Sequence, residues 1–265
     1  MDGRTKVYFT SDAHLGSGYH ADPRAVECRL VRWLQSIEGD ARAVYFLGDM
    51  FDYWFEYRTV VPRGHVRFLG QVALMADQGI EIHFFAGNHD VWFADYLEKE
   101  LGAQVHHEEA FVTLDGKTFR LAHGDKEYCG LSWTNRFLYR LFRHPVARCL
   151  YAAVHPRWTV GFALNCSLRS RKRGVRKATV GQIPHAYHNE YFEIEKEWLV
   201  RWTKAHIEEH PEVDYYLFGH RHLLVDLALR GEKRIVILGD WLQYNSFAVW
   251  DGSALWIDQF LEEEG

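Results

Sequence analysis

Short apolar runs, each ending abruptly at glycine or a polar pair, recur along the chain. Val7-Tyr8-Phe9 leads to Asp12, Val44-Tyr45-Phe46-Leu47 to Gly48-Asp49, and Ile82-His83-Phe84-Phe85 to Gly87-Asn88. Phe119-Arg120-Leu121-Ala122 leads to His123-Gly124, and Tyr215-Tyr216-Leu217-Phe218 to Gly219-His220. Runs this short, rich in aromatic and β-branched residues, predict buried strands entering loops. Helical spacing fills the gaps: positions 25–37 set Val26, Leu30, Trp33, Leu34 and Ile37 on one face, and 66–75 behaves similarly. Positions 190–206 predict another helix, with Phe192, Trp198, Leu199 and Trp202 as core rather than cofactor contacts. Asp115-Gly116 between 112–114 and 117–119 predicts a hairpin. Two more hairpins are expected near the end, 225–229 with 234–238 and 247–250 with 254–257. The class is α/β, and 265 residues suit one large domain better than two small ones.

What stands at the strand ends changes the picture. Asp12, His14, Asp49, Asn88, His123, His220 and His222 are all metal-binding types, and ligands of layered α/β proteins gather beyond the carboxyl ends of strands. Oxygen and imidazole donors without thiolate suit Mn²⁺, Fe²⁺ or Zn²⁺ in an open site. Seven donors exceed the needs of one tetrahedral ion but suit two ions about 3.5–4 Å apart with a shared carboxylate. Asp-x-His or Gly-Asp-x-x-Asp alone is a weak signal, since both occur in ordinary turns. Five motifs in order, each after an apolar run, predict a dimetal site.

Spacing then exposes an insertion. Asp12, Asp49, Asn88 and His123 are separated by 37, 39 and 35 residues, but His123 and His220 by 97. The excess, about 60 residues, is placed at 126–185 as a helical lid. Residues 126–177 hold twelve Lys or Arg and one acid, Glu127, a formal charge of +11. The chain has 31 basic and 36 acidic residues, so the rest holds 19 and 35, or −16. Such a division implies an anionic partner. Trp133, Phe137, Leu138, Leu141 and Phe142, then Val146, Leu150, Tyr151, Val154 and Trp158, alternate with Arg136, Arg140 and Arg143. Basic, aromatic, amphipathic helices suit a membrane interface; the plainer reading is a helical cap with solvated arginines. Nucleic acid is the weaker partner, because the chain is acidic overall and no base-stacking aromatics interleave the basic run 169–177. Cys28, Cys129, Cys149 and Cys166 show no C-x-x-C spacing, as expected in a reducing cytoplasm. No secretory segment or spanning stretch is visible.

The motifs D-x-H, G-D-x-x-D, G-N-H-[DE], a single H and G-H-x-H, spanning Asp12 to His222, resemble those of the calcineurin-like metallophosphoesterase family. The resemblance implies a β-sandwich flanked by helices. It also implies one metal on Asp12, His14, Asp49 and His222, and a second on Asp49 (bridging), Asn88, His123 and His220. Asp12-Ala13-His14-Leu15, Gly48-Asp49-Met50-Phe51-Asp52-Tyr53-Trp54, and His123-Gly124-Asp125 followed by Cys129 and the aromatic-basic insert resemble one subgroup. These are the UDP-2,3-diacylglucosamine pyrophosphohydrolases of lipid A biosynthesis. That subgroup implies a nucleotide-lipid substrate, water attacking the α-phosphorus, a lid holding two acyl chains, and a cytoplasmic site on the inner face of the inner membrane. His89 stands where well-known members carry Arg. It is the candidate for leaving-group protonation or charge stabilisation, with Asn88 assisting and Asp52 or Asp90 fixing its tautomer. Asn165, Ser167, Arg169 and Lys172 are candidates for headgroup contacts. The rival enzyme reading is a phosphodiesterase or phosphatase for nucleotides or nucleic acid. An open basic groove would favour that rival, and an apolar slot beside the metals would favour lipid. A non-catalytic scaffold is disfavoured because every ligand position is filled.

Overall fold

A computed structural model describes residues 3–18, 20–127, 140–141, 143–163, 165 and 194–262. The five runs that end in motifs are all strands: β1 (Lys6–Thr10), β2 (Ala41–Phe46), β3 (Glu81–Phe85), β6 (Lys117–Ala122) and β7 (Tyr215–Phe218). The expected hairpins are there too, as β5 (Ala110–Leu114) with β6, β8 (Leu224–Ala228) with β9 (Arg234–Leu238), and β10 (Ser246–Trp250) with β11 (Leu255–Gln259). Two short elements escape periodicity: the one-and-a-half-turn helix α3 (Tyr96–Leu101) and the three-residue strand β4 (Gln104–His106). One sheet runs β11-β10-β1-β2-β3-β4 and the other β5-β6-β7-β9-β8.

Apolar faces of the two sheets meet over Val7, Phe9, Ala43, Tyr45, Leu47 and Phe85 on one side and Phe119, Leu121, Leu217, Val236 and Leu238 on the other. Phe9 stacks on Tyr45 at 5.3 Å and on Phe119 at 5.7 Å, each such pair contributing about 0.5–1.5 kcal/mol beyond burial. The outer face of the first sheet is covered by α1 (Pro23–Ile37) and α2 (Val66–Asp77), that of the second by α5 (Trp198–His206). The result is a sandwich flanked by helices, as the motifs implied. Asp22 caps α1, accepting from the N–H groups of Arg24 (2.9 Å) and Ala25 (3.1 Å), with Pro23 in the first turn. Helix α2 has no side-chain cap of its own; Glu27 of α1 accepts from the Arg67 and Phe68 N–H groups instead.

Register delivers the site. Strands β1, β2 and β3 are parallel, pairing Phe9 with Tyr45 and Phe46 with Phe84, so their following loops leave one edge side by side. In the second sheet β6 and β7 are parallel, with Ala122 opposite Phe218, which sends His123 and His220 out together.

One expectation needs correction. The helix predicted over 190–206 is divided: a 3-10 turn at Ile194–Lys196 is followed by Glu197 in an extended conformation (φ −64, ψ 126) before α5 begins, and 190–193 lie outside the described residues. The break turns the Glu197 carboxylate toward Arg221, to which it is paired at 2.6 and 2.9 Å. Arg143 of the insert reaches Asp125 at 3.1 Å, which counts against the plainer reading of solvated arginines at that position. In the insert, α4 (Pro145–Ala153) and helical turns over 156–163 are described. Trp133, Arg136, Phe137, Leu138, Phe142, Cys129 and Cys166 lie outside the described residues. No helix among those described is long and apolar enough to cross a membrane.

Candidate metal centre

Five of the seven expected ligands occupy the left-handed region of backbone space: Asp12 (φ 54), His14 (φ 43), Asp49 (φ 53), His220 (φ 66) and His222 (φ 49). A non-glycine residue there costs roughly 1 kcal/mol or more, and a cluster of them marks loops held in place for what their side chains do. The motif glycines let these loops interlock. A Cβ on Gly48 would lie 2.5 Å from His123 Nδ1, one on Gly87 would lie 2.2 Å from Asp49 Oδ1, and one on Gly219 would lie 2.5 Å from Asp12 Oδ2.

Both carboxylates divide their labour. Asp12 Oδ2 accepts from the His220 N–H at 2.8 Å, while Oδ1 lies 3.6 Å from His14 Nε2 and 3.5 Å from His222 Nε2. This Oδ1 is buried with no hydrogen-bond partner among the described residues. Asp49 Oδ1 accepts from the His89 N–H at 2.8 Å, leaving Oδ2 at 3.7 Å from His14 Nε2 and 3.4 Å from His123 Nε2. His123 Nε2 also lies 3.3 Å from Asn88 Oδ1. Donor atoms of Asp12, His14 and His222 converge within 4.8 Å, as do those of Asp49, His123 and His220. An orphaned carboxylate oxygen among ring nitrogens is a poor hydrogen-bond site and a good cation site. The donors fit two ions, with Asp49 Oδ2 between the clusters.

Electrostatics prepares the donors. Burial alone would raise Asp49, but His123, His89 and His14 hold its carboxyl well below the usual range. Burial raises Asp12 despite His222 and His123. Burial, then His123, pushes His220 down to about 3, keeping its ring neutral. Burial opposes protonation of His123 and His222, yet Asp49 holds the His123 proton well above its ordinary range, and Asp12 and Asp240 raise His222. Metal binding at those two rings therefore releases protons.

Of the two residues expected to fix the His89 tautomer, Asp52 does so through its main chain and Asp90 does not. His89 Nδ1 donates to the main-chain carbonyl of Asp52 at 3.0 Å, whereas the Asp52 carboxylate stays 3.7 Å away. Asp90 accepts from the N–H groups of Gly87 (2.8 Å), Asp49 (3.2 Å) and Phe51 (3.3 Å). It braces two ligand loops rather than orienting His89, and burial, then Asp49, pushes its pKa up to about 7. Asn165 is exposed and donates to Gly161 O within the insert at 2.8 Å. Ser167, Arg169 and Lys172 lie outside the described residues.

Two positioning residues escaped the motif reading. Asp240 holds His222 Nδ1 at 2.8 Å, and Glu197 grips Arg221, which sits between His220 and His222. Asp240 had a usable signal, because Ile235-Val236-Ile237-Leu238 runs into Gly239-Asp240 as the motif strands do. The Glu197–Arg221 pair had none.

Beside the centre lies a cavity of about 620 Å³. It is lined by Leu15, Asp52, Tyr53, Phe55, Val60 and Val61 and, from the insert, by Pro156 and Val160. Tyr151 of α4 steadies that arrangement, packing on Phe55 (4.8 Å) and Trp92 (5.1 Å) with its hydroxyl 3.1 Å from that of Tyr53.

The model of the calcineurin-like phosphoesterases matches residues 5–224, and the chain belongs to that family. Within it, the chain is 64% identical to the UDP-2,3-diacylglucosamine hydrolase of Porphyromonas gingivalis, over 98% of this chain and 100% of that protein. It is 29% identical to the Haemophilus influenzae protein of the same name, over 88% of this chain and 90% of that one.

Proposed function

We propose that this chain hydrolyses the diphosphate of UDP-2,3-diacylglucosamine to UMP and 2,3-diacylglucosamine 1-phosphate, a step of lipid A biosynthesis. It does so with two divalent ions, Mn²⁺ ahead of Fe²⁺ or Zn²⁺. The observation that carries the lipid reading over a plain nucleotide phosphodiesterase is the slot lined both by Asp52, whose carboxylate lies 3.7 Å from His14, and by Pro156 and Val160 of the insert. Each methylene buried there contributes about 0.8 kcal/mol, so two acyl chains supply much of the substrate's binding.

Asp12, His14, Asp49 and His222 hold one ion, and Asp49, Asn88, His123 and His220 the other. When bound, they lower the pKa of water and neutralise phosphoryl oxygens. The chain's own groups do the rest. Asn88 directs its carboxamide oxygen toward His123, leaving its NH₂ to donate to a non-bridging oxygen as charge builds there. His89 spends its Nδ1–H on the Asp52 carbonyl, so it stabilises or protonates the leaving phosphate as the imidazolium, whose second proton is on Nε2. Water displaces the diacylglucosamine phosphate from the α-phosphorus in line, and the bond to the bridging oxygen breaks.

The insert at 126–185 acts as the lid, and Asn165, Ser167, Arg169 and Lys172 are its candidate headgroup contacts. It rests on the anionic inner face of the inner membrane: Val146, Leu150, Trp158 and Phe162 are exposed beside Arg148 and Arg157. The test compares UDP-diacylglucosamine with UDP-glucosamine lacking acyl chains, at equal concentration with Mn²⁺. A large preference for the acylated compound, reduced by Arg140→Glu, is expected. Equal rates, or faster cleavage of a plain nucleotide diester, would refute the lipid substrate.

A further inference from the structure

The slot has a mouth, and the mouth is basic. Arg24 in the first turn of α1, Arg63 and Arg67 around the start of α2, and Arg157 of the insert all line it. All four are exposed, and none has a carboxylate partner among the described residues. Five arginines elsewhere do have one, Arg42 with Asp115, Arg120 with Glu127, Arg143 with Asp125, Arg221 with Glu197 and Arg234 with Asp226, so what marks the rim is four such arginines gathered on one cavity. Glu27, an acid inside the mouth, is committed to the N–H groups that open α2. Residues 58–67 carry Arg58, Arg63 and Arg67 and no acid. Between those charges Val60 is 52% exposed and Val66 75%. The first turns of α1 and α2 both lie at this rim, and their dipoles add positive potential.

Unpaired arginines cost little at a surface in water, but an arginine rim with bare valines around an apolar slot is matched to one kind of surface. Headgroup phosphates take the guanidinium groups while the valines enter the acyl boundary. A soluble anion would satisfy the arginines and leave Val60 and Val66 in water.

We propose that the core loop at 58–67, with the first turns of α1 and α2, docks on an anionic phospholipid surface. The slot then opens into the bilayer, and the core as well as the insert grips the membrane. The direction in which the slot fills rests on the lipid-substrate reading; the docking does not.

The test is flotation of the full chain with vesicles of phosphatidylglycerol mixed with phosphatidylcholine, and with phosphatidylcholine alone. Wild type should float only with the anionic vesicles. Arg63→Gln with Arg67→Gln should weaken partition about 30-fold, since each arginine near such a surface contributes about 1 kcal/mol. Val60→Asp should weaken it as well, while Arg42→Gln should not. Surface changes of this kind leave the fold standing, within about 0.5 kcal/mol. Equal flotation of wild type and the double variant would overturn the proposal. So would a double variant that loses affinity for UMP but keeps its vesicle binding, which would make the rim a nucleotide site. Wild type that cleaves detergent-dispersed UDP-diacylglucosamine yet ignores anionic vesicles would overturn docking and leave the hydrolase reading intact. Vesicle binding without cleavage would do the reverse.

Discussion

The metal edge and the slot mouth lie a few residues apart, yet they are built on opposite rules. At the metal edge each donor is fixed on one side and open on the other: Asp12 and Asp49 each spend one oxygen on a neighbouring N–H, and His222 and His123 are tied to Asp240 and Leu47. At the mouth the arginines have no acidic partners among the described residues and the valines are bare. The first region is finished by the protein, to hold small cations at fixed points. The second is left for a partner to finish. Strain divides the same way. Left-handed ligands are held by loops that leave parallel strands in register, and such loops tolerate little change.

Substitutions at the metal edge should therefore be severe. The largest effect is expected from Asp49→Ala, which removes the oxygen between the two donor clusters. Hydrolysis should be abolished and metal content should fall below one ion per chain, with the circular dichroism spectrum retained; Asn88→Ala should behave alike. Full activity with fewer than one ion, and no response to Mn²⁺, would break the contrast at its root.

A smaller effect is expected at His89. His89→Asn should lower kcat roughly 10²–10⁴-fold with little change in KM, and steady-state kinetics at saturating Mn²⁺ measures it. An unchanged kcat would make the ring a structural neighbour of His14, on which it packs edge-on at 4.8 Å.

The mildest change is expected at Glu197. Glu197→Gln should raise the Mn²⁺ dissociation constant about 10–100-fold, the usual range for residues behind a ligand, while excess Mn²⁺ restores kcat. Calorimetric titration with Mn²⁺ reads this directly. A change in melting temperature with no change in metal affinity would reduce the pair to ordinary packing.

The strands and the seven candidate ligands at their ends were legible in sequence for one physical reason: a buried strand must end where the chain turns polar, and the candidates sit at that switch. Asp240 follows the same rule but belongs to no motif. The break at Glu197 was hidden because the residues on both sides fit a helical period, and what divides them is a carboxylate paired with Arg221, 24 positions away. The mouth was hidden because 58–67 has no period, and an unpaired arginine looks like any other until its neighbours in space are known. Left-handed backbone at Asp12, His14 and Asp49 was equally invisible, since the same letters occupy ordinary turns.

One contact separates assembly from chemistry. Position 89 supports the metal centre through its main-chain N–H, which occupies Asp49 Oδ1 and leaves Oδ2 for the ions. Every residue except proline brings that N–H. The side chain at 89 can therefore change on an unchanged mount, so the handling of the leaving group can be altered without rebuilding the metal site.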